Sequence, residues 1–492
     1  MGAEKSSGPL DKAIYYPAFK AHDPRFDGRV FVGVSSTGVY CRPVCRVKMP
    51  KEENCAFYGS AAAEAAGYRP CLKCRPELAP GFAPVDAAAR LSRKAALIIE
   101  EDCLTETSLE DLAAKLQVGS RHLRRVFKAE YGVSPVRYLQ TRRLLLAKTL
   151  LTDSALPVTE IAFAAGFGSL RRFNDLFKKH YRLPPSALRK DLKPSGSGGG
   201  DSFRLLLGYR PPYDWDSLLG FLAGRAIAGV EAVRGGLYQR TAFISQGRKI
   251  CRGWLSVGRA EKKNALAVTV SASLLPVLSR VLARVRQLFD LSCDPAEVYE
   301  KLRPMNRIKE GLCRPGVRVP GSFEPFEMAV RAVLGQQITV KAARTLAGRL
   351  AAAYGSPVAT PIEGLTHCFP GPADLARLPG DIENHLGPLG VTGARARSIR
   401  ALADGILSGD IELSLSADPD RQMEKLLALP GFGPWTVQYV ALRALAWPDA
   451  FPHTDYGLKA ALGGLSPQEI LKLAEDWRPW RSYATVNLWN SL

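Results

Sequence analysis

The sequence predicts a multidomain α+β protein, and three observations predict it. Two close pairs of cysteines stand near the start, two helix-turn-helix patterns come next in tandem, and a Gly/Ser stretch then sets off residues 202–492, which carry a Pro-Gly-x-Gly turn between helical patterns. At 492 residues the chain has room for three or four domains, and at 46% hydrophobic it can bury a core in each. The formal net charge of +20 calls for a polyanionic partner, with nucleic acid ahead of a membrane. The excess is not one basic tail: residues 1–89 carry +3, 90–193 carry +9 and 202–492 carry +9. No apolar run spans a bilayer and the first residues lack a signal pattern, so a cytoplasmic setting with free thiols is expected.

The first element, residues 1–88, holds Cys41-Arg-Pro-Val-Cys45 and, after a gap of 25 residues, Cys71-Leu-Lys-Cys74. Two close pairs of thiols at that spacing suit one tetrahedral zinc with ligands Cys41, Cys45, Cys71 and Cys74. Arg42, Arg46 and Lys48 crowd the first pair, and Arg69, Lys73 and Arg75 crowd the second. A zinc-bound thiolate stays ionised at neutral pH and keeps its nucleophilicity. Two readings therefore stand: a knuckle that only holds a small domain together, or a thiolate that meets an electrophile carried on a polyanion. The remaining cysteines, Cys55, Cys103, Cys251, Cys293, Cys313 and Cys368, show no ligand spacing and read as ordinary small side chains.

Asp23-Pro-Arg-Phe-Asp-Gly28, Ser36-Thr-Gly-Val-Tyr-Cys-Arg-Pro-Val-Cys-Arg46 and Ala66-Gly-Tyr-Arg-Pro-Cys-Leu-Lys-Cys-Arg-Pro76 closely resemble the amino-terminal domain of the Ada family. The resemblance implies that Cys41 accepts a methyl group from a methylphosphotriester in DNA. A methylated phosphate is neutral, so an anionic thiolate approaches it without repulsion. Arg42, Arg46 and Lys48 are expected beside the DNA backbone. Lys48 stands where the family has an arginine, which keeps the charge and loses the bidentate fork.

Residues 89–192 carry a helical pattern. Leu109, Leu112 and Leu116 recur at helical spacing, Val118-Gly119-Ser120 breaks the run with Ser120 as the expected cap, and Leu123, Val126 and Phe127 resume it beside Arg121, Arg124, Arg125 and Lys128. The pattern returns as Val158, Ile161, Ala162 and Ala165, then the turn Gly166-Phe167-Gly168, then a Ser169 cap before Leu170, Phe173 and Phe177, with Arg171, Arg172 and Asn174 alongside. One basic helix face is most simply a solvated surface. Two turns of small residues, each succeeded by an arginine-bearing helix, point instead to tandem helix-turn-helix units, with Arg121, Arg124, Arg171 and Arg172 as candidate DNA contacts. Ile161 through Lys179 resembles the AraC-type activator domain that comes after the zinc domain in Ada proteins. The Pro-Cys-His-Arg acceptor of a full Ada protein is absent, so repair of O6-alkylguanine is not assigned.

Residues 193–201, Lys-Pro-Ser-Gly-Ser-Gly-Gly-Gly-Asp, are the clearest boundary in the chain. Such composition makes a flexible linker, so residues 202–492 are expected to move independently of the regulator. Beyond the linker, Leu426 through Thr436 reads as a helix, a tight Pro-Gly-x-Gly turn and a second helix beginning near Trp435. Gly431 and Gly433 let the backbone approach a phosphate, and the free amides at the start of the second helix bind it. Asp455 opens a further helical pattern, Leu458 through Leu462, where capping and catalysis are compatible roles.

Tyr209-Arg-Pro-Pro-Tyr-Asp-Trp215, Leu219-Gly-Phe-Leu-Ala-Gly-Arg225, Arg331-Ala-Val-Leu-Gly-Gln336, Leu429-Pro-Gly-Phe-Gly-Pro-Trp-Thr436 and Trp477-Arg-Pro-Trp-Arg-Ser-Tyr483 resemble AlkA-type alkyladenine glycosylases of the helix-hairpin-helix superfamily. The resemblance implies a mixed α/β domain over 202–290 and an all-α glycosylase domain over 291–492. It makes Asp455 the catalytic aspartate, and Trp435, Tyr439 and Trp489 the aromatic wall around a flipped base. It gives Gly431, Gly433 and Thr436 the phosphate contact, with a monovalent cation allowed at the hairpin. Gln337 stands where the family carries a wedge leucine, and Pro434 where it carries a basic residue. Trp435 occupies the place of the Schiff-base lysine of strand-cutting relatives, so a monofunctional enzyme is expected. The full expectation is a nucleoid-associated repair protein acting on alkylated and operator DNA and engaging RNA polymerase when it activates. The alternative is an AraC-type regulator whose carboxy-terminal half binds damaged DNA without turnover.

Overall fold

The computed structural model describes residues 10–20, 22, 27, 30–58, 63, 66–76, 87–102, 108–190, 201–246, 249–261 and 263–492. Two compact units result: residues 1–97 with 107–138, and residues 98–106 with 139–492. Cys103 and residues 191–200, most of the expected linker, lie outside the described residues.

In the first unit, strands β1 (Phe31–Val34), β2 (Val39–Cys41), β3 (Cys55–Tyr58) and β4 (Arg69–Pro70) form a sheet in the order β3-β1-β2-β4. A tight turn joins β1 to β2, with Gly38 at φ +65° where an L side chain is strained. The parallel pairing of β2 with β4 sets Tyr40 opposite Pro70, and the Cys71 amide donates to the Tyr40 carbonyl at 3.0 Å. Cys41 and Cys71, the next residue along each strand, are thereby brought together. The same unit carries the helices Leu109–Lys115 and Ser120–Tyr131, with Leu112, Leu123, Val126 and Phe127 buried at their crossing. Ser108 and Asp111 cap the first helix reciprocally, through 3.1 Å and 2.9 Å bonds. The second helix starts one residue earlier than the sequence predicts. Ser120 is already helical and Gly119 holds the extended N-cap position without a side-chain cap.

In the second unit, the helices Val158–Ala164 and Leu170–Tyr181 repeat the arrangement around Ile161, Ala162, Phe173 and Phe177. Here the expected cap forms: Ser169 Oγ accepts from the Arg172 amide at 3.1 Å. Next come five antiparallel strands, β5 (Ser202–Gly208), β6 (Glu231–Arg234), β7 (Leu237–Gln246), β8 (Lys249–Arg259) and β9 (Ala265–Ser271), in the order β5-β9-β8-β7-β6. Alternation along β5 turns Phe203, Leu205 and Leu207 inward. They meet the helix Leu278–Leu288, whose Leu278, Val281, Leu282 and Val285 lie on one stripe. The helix Val158–Ala164 packs against the turn Ala272–Val277, and its apolar residues join the same cluster. The second helix-turn-helix is thus docked on the sheet domain, contrary to the independence that the linker suggests, because Val158 and Leu275 both pack against that one apolar cluster.

From Pro295 onward the chain is helical and carries two further cores. The helix Pro325–Leu334 is buried nearly all round and carries two charges inward. Glu327 accepts from Arg240 of β7 at 2.8 Å, and Arg331 donates to Glu231 of β6 at 2.9 Å. Burial opposes ionisation of Glu231, but Arg331 and Arg240 outweigh it and hold the carboxyl below the usual range. Two arginines and two glutamates therefore lock the helical domain to the sheet. None of the described helices is long and apolar enough to cross a membrane.

Candidate functional site

The hairpin is formed by the helices Pro419–Leu427 and Pro434–Arg443, one residue off the expected start at Trp435. Proline suits that first helical position because its missing N–H would have no partner there. Gly431 sits at φ +76°, and a Cβ on it would lie 2.2 Å from Ser398 Oγ, so only glycine fits. Gln336 Nε2 donates to the Gly431 carbonyl at 2.8 Å and to Thr436 Oγ1 at 2.9 Å. Thr436 is buried and lines the cleft beside the hairpin. Thr436 Oγ1 thus braces the hairpin as an acceptor, which leaves its O–H donor for the phosphate contact that the resemblance implies. Gly433, at the N-cap, has open space where a Cβ would be.

Asp455 is the N-cap of the helix Tyr456–Ala461. Its Oδ1 accepts from the amides of Gly457 at 2.9 Å and Leu458 at 3.3 Å, and from Trp489 Nε1 at 3.0 Å. Its Oδ2 accepts from Trp435 Nε1 at 2.8 Å. Capping thus fixes the carboxylate while two indoles flank it. Trp435 stacks on Tyr439 with centroids 5.2 Å apart and planes 18° apart, and Tyr439 lies 6.0 Å from Trp489. The three expected aromatics and the aspartate converge on one cleft of about 1040 Å³, whose rim also carries the exposed Gln337.

Sequence reasoning missed what stands behind this wall. Phe221, from the sheet domain, stacks on Trp489 at 5.8 Å and 22°. The Arg225 guanidinium covers Phe221 at 3.7 Å. Arg443 donates to the Tyr439 hydroxyl at 2.8 Å. Burial raises the Tyr439 phenol, yet Arg443, Arg225 and Arg331 together pull it below its ordinary value. Phe221 and Arg225 were visible inside a matching motif, but nothing in their spacing assigned them a place.

In the first unit, the sulfurs of Cys41, Cys45, Cys71 and Cys74 lie within 4.8 Å of one another, all buried. Four thiols around one point, packed among Val32, Val34 and Phe57, form a donor set that fits one zinc ion. Arg46 and Lys48 are exposed beside it. Arg42 is a correction to the sequence reading. It is fully buried, pairs with Asp27 through Nε at 2.7 Å, and its amide points at Cys74 Sγ at 3.4 Å. It is an internal strut and offers DNA no face. Arg121 and Arg124, and Arg171 and Arg172 in the second unit, are all exposed on their helices.

The comparisons agree with this division. Family models match residues 14–77 as the metal binding domain of Ada and 112–191 as a helix-turn-helix domain. Others match 204–324 as the AlkA N-terminal domain and 330–471 as an HhH-GPD superfamily base excision DNA repair protein. Fold and site thus define a class, the metal-binding DNA-repair proteins that join a regulator to a helix-hairpin-helix domain. The chain is 37% identical over 487 residues to the probable bifunctional transcriptional activator/DNA repair enzyme AlkA of Mycobacterium tuberculosis, covering 97% of this chain and 96% of that protein. It belongs to that family of fused Ada–AlkA proteins. Two Escherichia coli proteins match its halves. DNA-3-methyladenine glycosylase 2 is 37% identical over 58% of this chain and 95% of its own length. The bifunctional transcriptional activator/DNA repair enzyme Ada is 36% identical over 30% of this chain and 40% of its own length.

Proposed function

We propose that the chain excises alkylated bases of the 3-methyladenine type from DNA, accepts methyl groups from DNA methylphosphotriesters, and activates transcription in response. The observation that carries the first role is the Asp455 carboxylate, held by four N–H donors between Trp435 and Trp489. A base alkylated on a ring nitrogen is cationic, and a desolvated aromatic face attracts a cation by about 1–2 kcal/mol. The flipped base enters beside Trp435, Tyr439 and Trp489. Its positive charge makes it a good leaving group without a strong acid. As the glycosidic bond breaks, the sugar gains oxocarbenium character, and the fixed anion of Asp455 stabilises it. Oδ2, with a single donor, is the oxygen that faces the sugar. Gly431, Gly433 and the first amides of the hairpin's second helix hold the neighbouring phosphate, with a monovalent cation between them in the same reading.

In the first unit, Cys41 is the acceptor. The zinc that Cys41, Cys45, Cys71 and Cys74 would hold keeps their thiols ionised. The Cys41 sulfur bonds to the methyl carbon, the C–O bond breaks, and the phosphodiester leaves with the electron pair. Arg46 and Lys48 draw the backbone in, while Arg121, Arg124, Arg171 and Arg172 engage an operator on the nucleoid, from which RNA polymerase is recruited.

The deciding experiment is base release from methylated duplex DNA by the wild type and Asp455→Asn. The variant is expected to lose release by about 10²–10³-fold with duplex affinity retained. The product is intact abasic DNA without a borohydride-trapped adduct, since Trp435 offers no amine. Near-normal turnover by the variant removes Asp455 from its role, and absence of release by the wild type leaves a regulator alone.

A further inference from the structure

The five-stranded sheet has a second face. Leu205, Leu255, Val257 and Val268 belong to the core on its helix side, and alternation sends the residues between them outward. On the hairpin of β7 and β8 these are Trp254, opposite Thr241; Arg252, opposite Phe243; and Ile250, opposite Ser245. Ile250 is 55% exposed, Arg252 is exposed, and Phe243 and Trp254 are partly exposed. None of these three apolar side chains joins a core formed by the described residues. Trp215, Trp435 and Trp489 each pair with another ring, whereas the Trp254 ring meets no other ring and no cation among the described residues. Large apolar side chains left outside every core, together on one face of a sheet, mark a binding surface.

The charge of this face selects its partner. Residues 202–290 hold fourteen basic and five acidic residues, a net +9, while residues 291–492 are neutral overall. On the inner side Arg240 is paired with Glu327 at 2.8 Å. Arg252 instead lies over the Phe243 ring at 5.4 Å, and Arg204, outward on β5, is aligned with Ser256 through Thr269. Neither has a carboxylate partner among the described residues. A polyanion that also offers π-faces satisfies both features. Duplex DNA hides its base faces inside the stack, and an unpaired strand presents them. We infer that the outer face of β7 and β8 is a binding site for single-stranded DNA, with bases on Trp254 and Phe243 and phosphates on Arg252 and Arg204. The helix Trp215–Ala223 packs on the inner side through Leu218 and Leu222, and from that side Phe221 reaches Trp489. The strand site therefore lies on the opposite face of the sheet and shares no residue with the base cleft.

The test is a binding titration of the full chain with a short oligo(dT) and with undamaged duplex of the same length. Trp254→Ala is expected to weaken oligo(dT) binding about tenfold, the loss of one base–aromatic stack, and Trp254→Phe to restore most of it. Arg204→Ser combined with Arg252→Ser is expected to flatten the slope of log affinity against log salt by about 1.4, the value for two phosphates of a single strand. Duplex affinity and base release from methylated duplex should both stay within about twofold of wild type, which reports that the fold stands. An oligo(dT) affinity of Trp254→Ala within twofold of wild type overturns the inference. So does an equal loss of duplex binding, which would make the face a general DNA surface. Photo-cross-linking of an oligo(dT) carrying 5-iodouracil to the wild type reads the site without a substitution. The adduct is expected within residues 249–259, and adducts confined to the base cleft or to the helix-turn-helix units overturn the inference.

Discussion

The cysteine cluster and the aromatic cleft of this protein are assembled by opposite means. The cysteine centre draws its four ligands from positions 41 to 74, brought together by a two-stranded turn and one parallel pairing. The base cleft draws on Phe221 and Arg225 from the sheet domain, Gln336, the hairpin through Arg443, Asp455, and Trp489 near the end of the chain. The first is closed over short loops and needs an ion to be worth closing. The second is closed over most of the carboxy-terminal half and is held by cores and buried charges. A local centre concentrates its stability in one bond set, whereas a distributed one spreads it over many contacts.

Chelation of zinc breaks this comparison most widely. Metal binding to such a centre supplies on the order of 10 kcal/mol of folding free energy. Its removal is expected to open residues 30–76 to limited proteolysis while base release remains unchanged. Loss of base release in parallel would show that the centres share their stability.

The buried charges of the second unit come next. Arg240→Met leaves Glu327 and Glu231 with one arginine between them, at a cost of about 3–5 kcal/mol. Thermal unfolding of the second unit should fall accordingly, and methyl uptake by Cys41 should not change. An unchanged melting temperature would mean that the network contributes no net stability.

A smaller effect is expected at Cys41. Four thiolates on one dication carry about −2, and methylation of one leaves about −1. Repulsion from nearby phosphates falls, so operator binding should tighten several-fold, more at low salt than at high. The measurement is a binding titration of methylated and unmethylated protein at two salt concentrations. Equal affinities at both would leave Cys41 as an acceptor only.

A last effect sits at Asp290, next to the helix Leu278–Leu288. Burial raises the Asp290 carboxyl to about 6, against the opposing pull of Tyr483, Arg318 and the Val319 amide. An unfolded aspartate titrates near 4, so the folded state holds more protons between those values. Stability should therefore decline as pH rises from about 4 to 6 and stay lowered above it. Asp290→Asn keeps an acceptor for the Val319 amide, bonded at 3.2 Å, and asparagine tolerates the positive φ of +48°. It should flatten that decline and gain about 3 kcal/mol at pH 8 with no change near pH 4. A steeper pH dependence in the variant would refute the assignment.

Short-range features were legible in the sequence wherever a few adjacent residues define a chemistry. The cysteine pairs, the Ser169 cap, the glycine turn at Gly431 and the capping aspartate at 455 each stood where local reasoning put them. The failures have a common cause. Arg42 sits in a basic cluster, and only the fold shows that Asp27 claims it inside the domain. The linker reads as a break in the chain until the helix Val158–Ala164 packs on the turn Ala272–Val277.

By itself the sequence determined the kinds of chemistry this protein holds: a thiol set of zinc-ligand spacing, arginines on paired helices, and an aspartate opening a helix after a glycine hairpin. Spacing fixes these because neighbours along the chain cannot avoid one another. Tertiary structure alone decided that Trp435 and Trp489 both turn their N–H groups onto Asp455, and that Phe221 and Arg225 close the cleft from another domain. Those partners meet because Glu231, Arg240, Glu327 and Arg331 hold sheet and helices in register, and contacts between residues so far apart depend on packing geometry that no local pattern encodes.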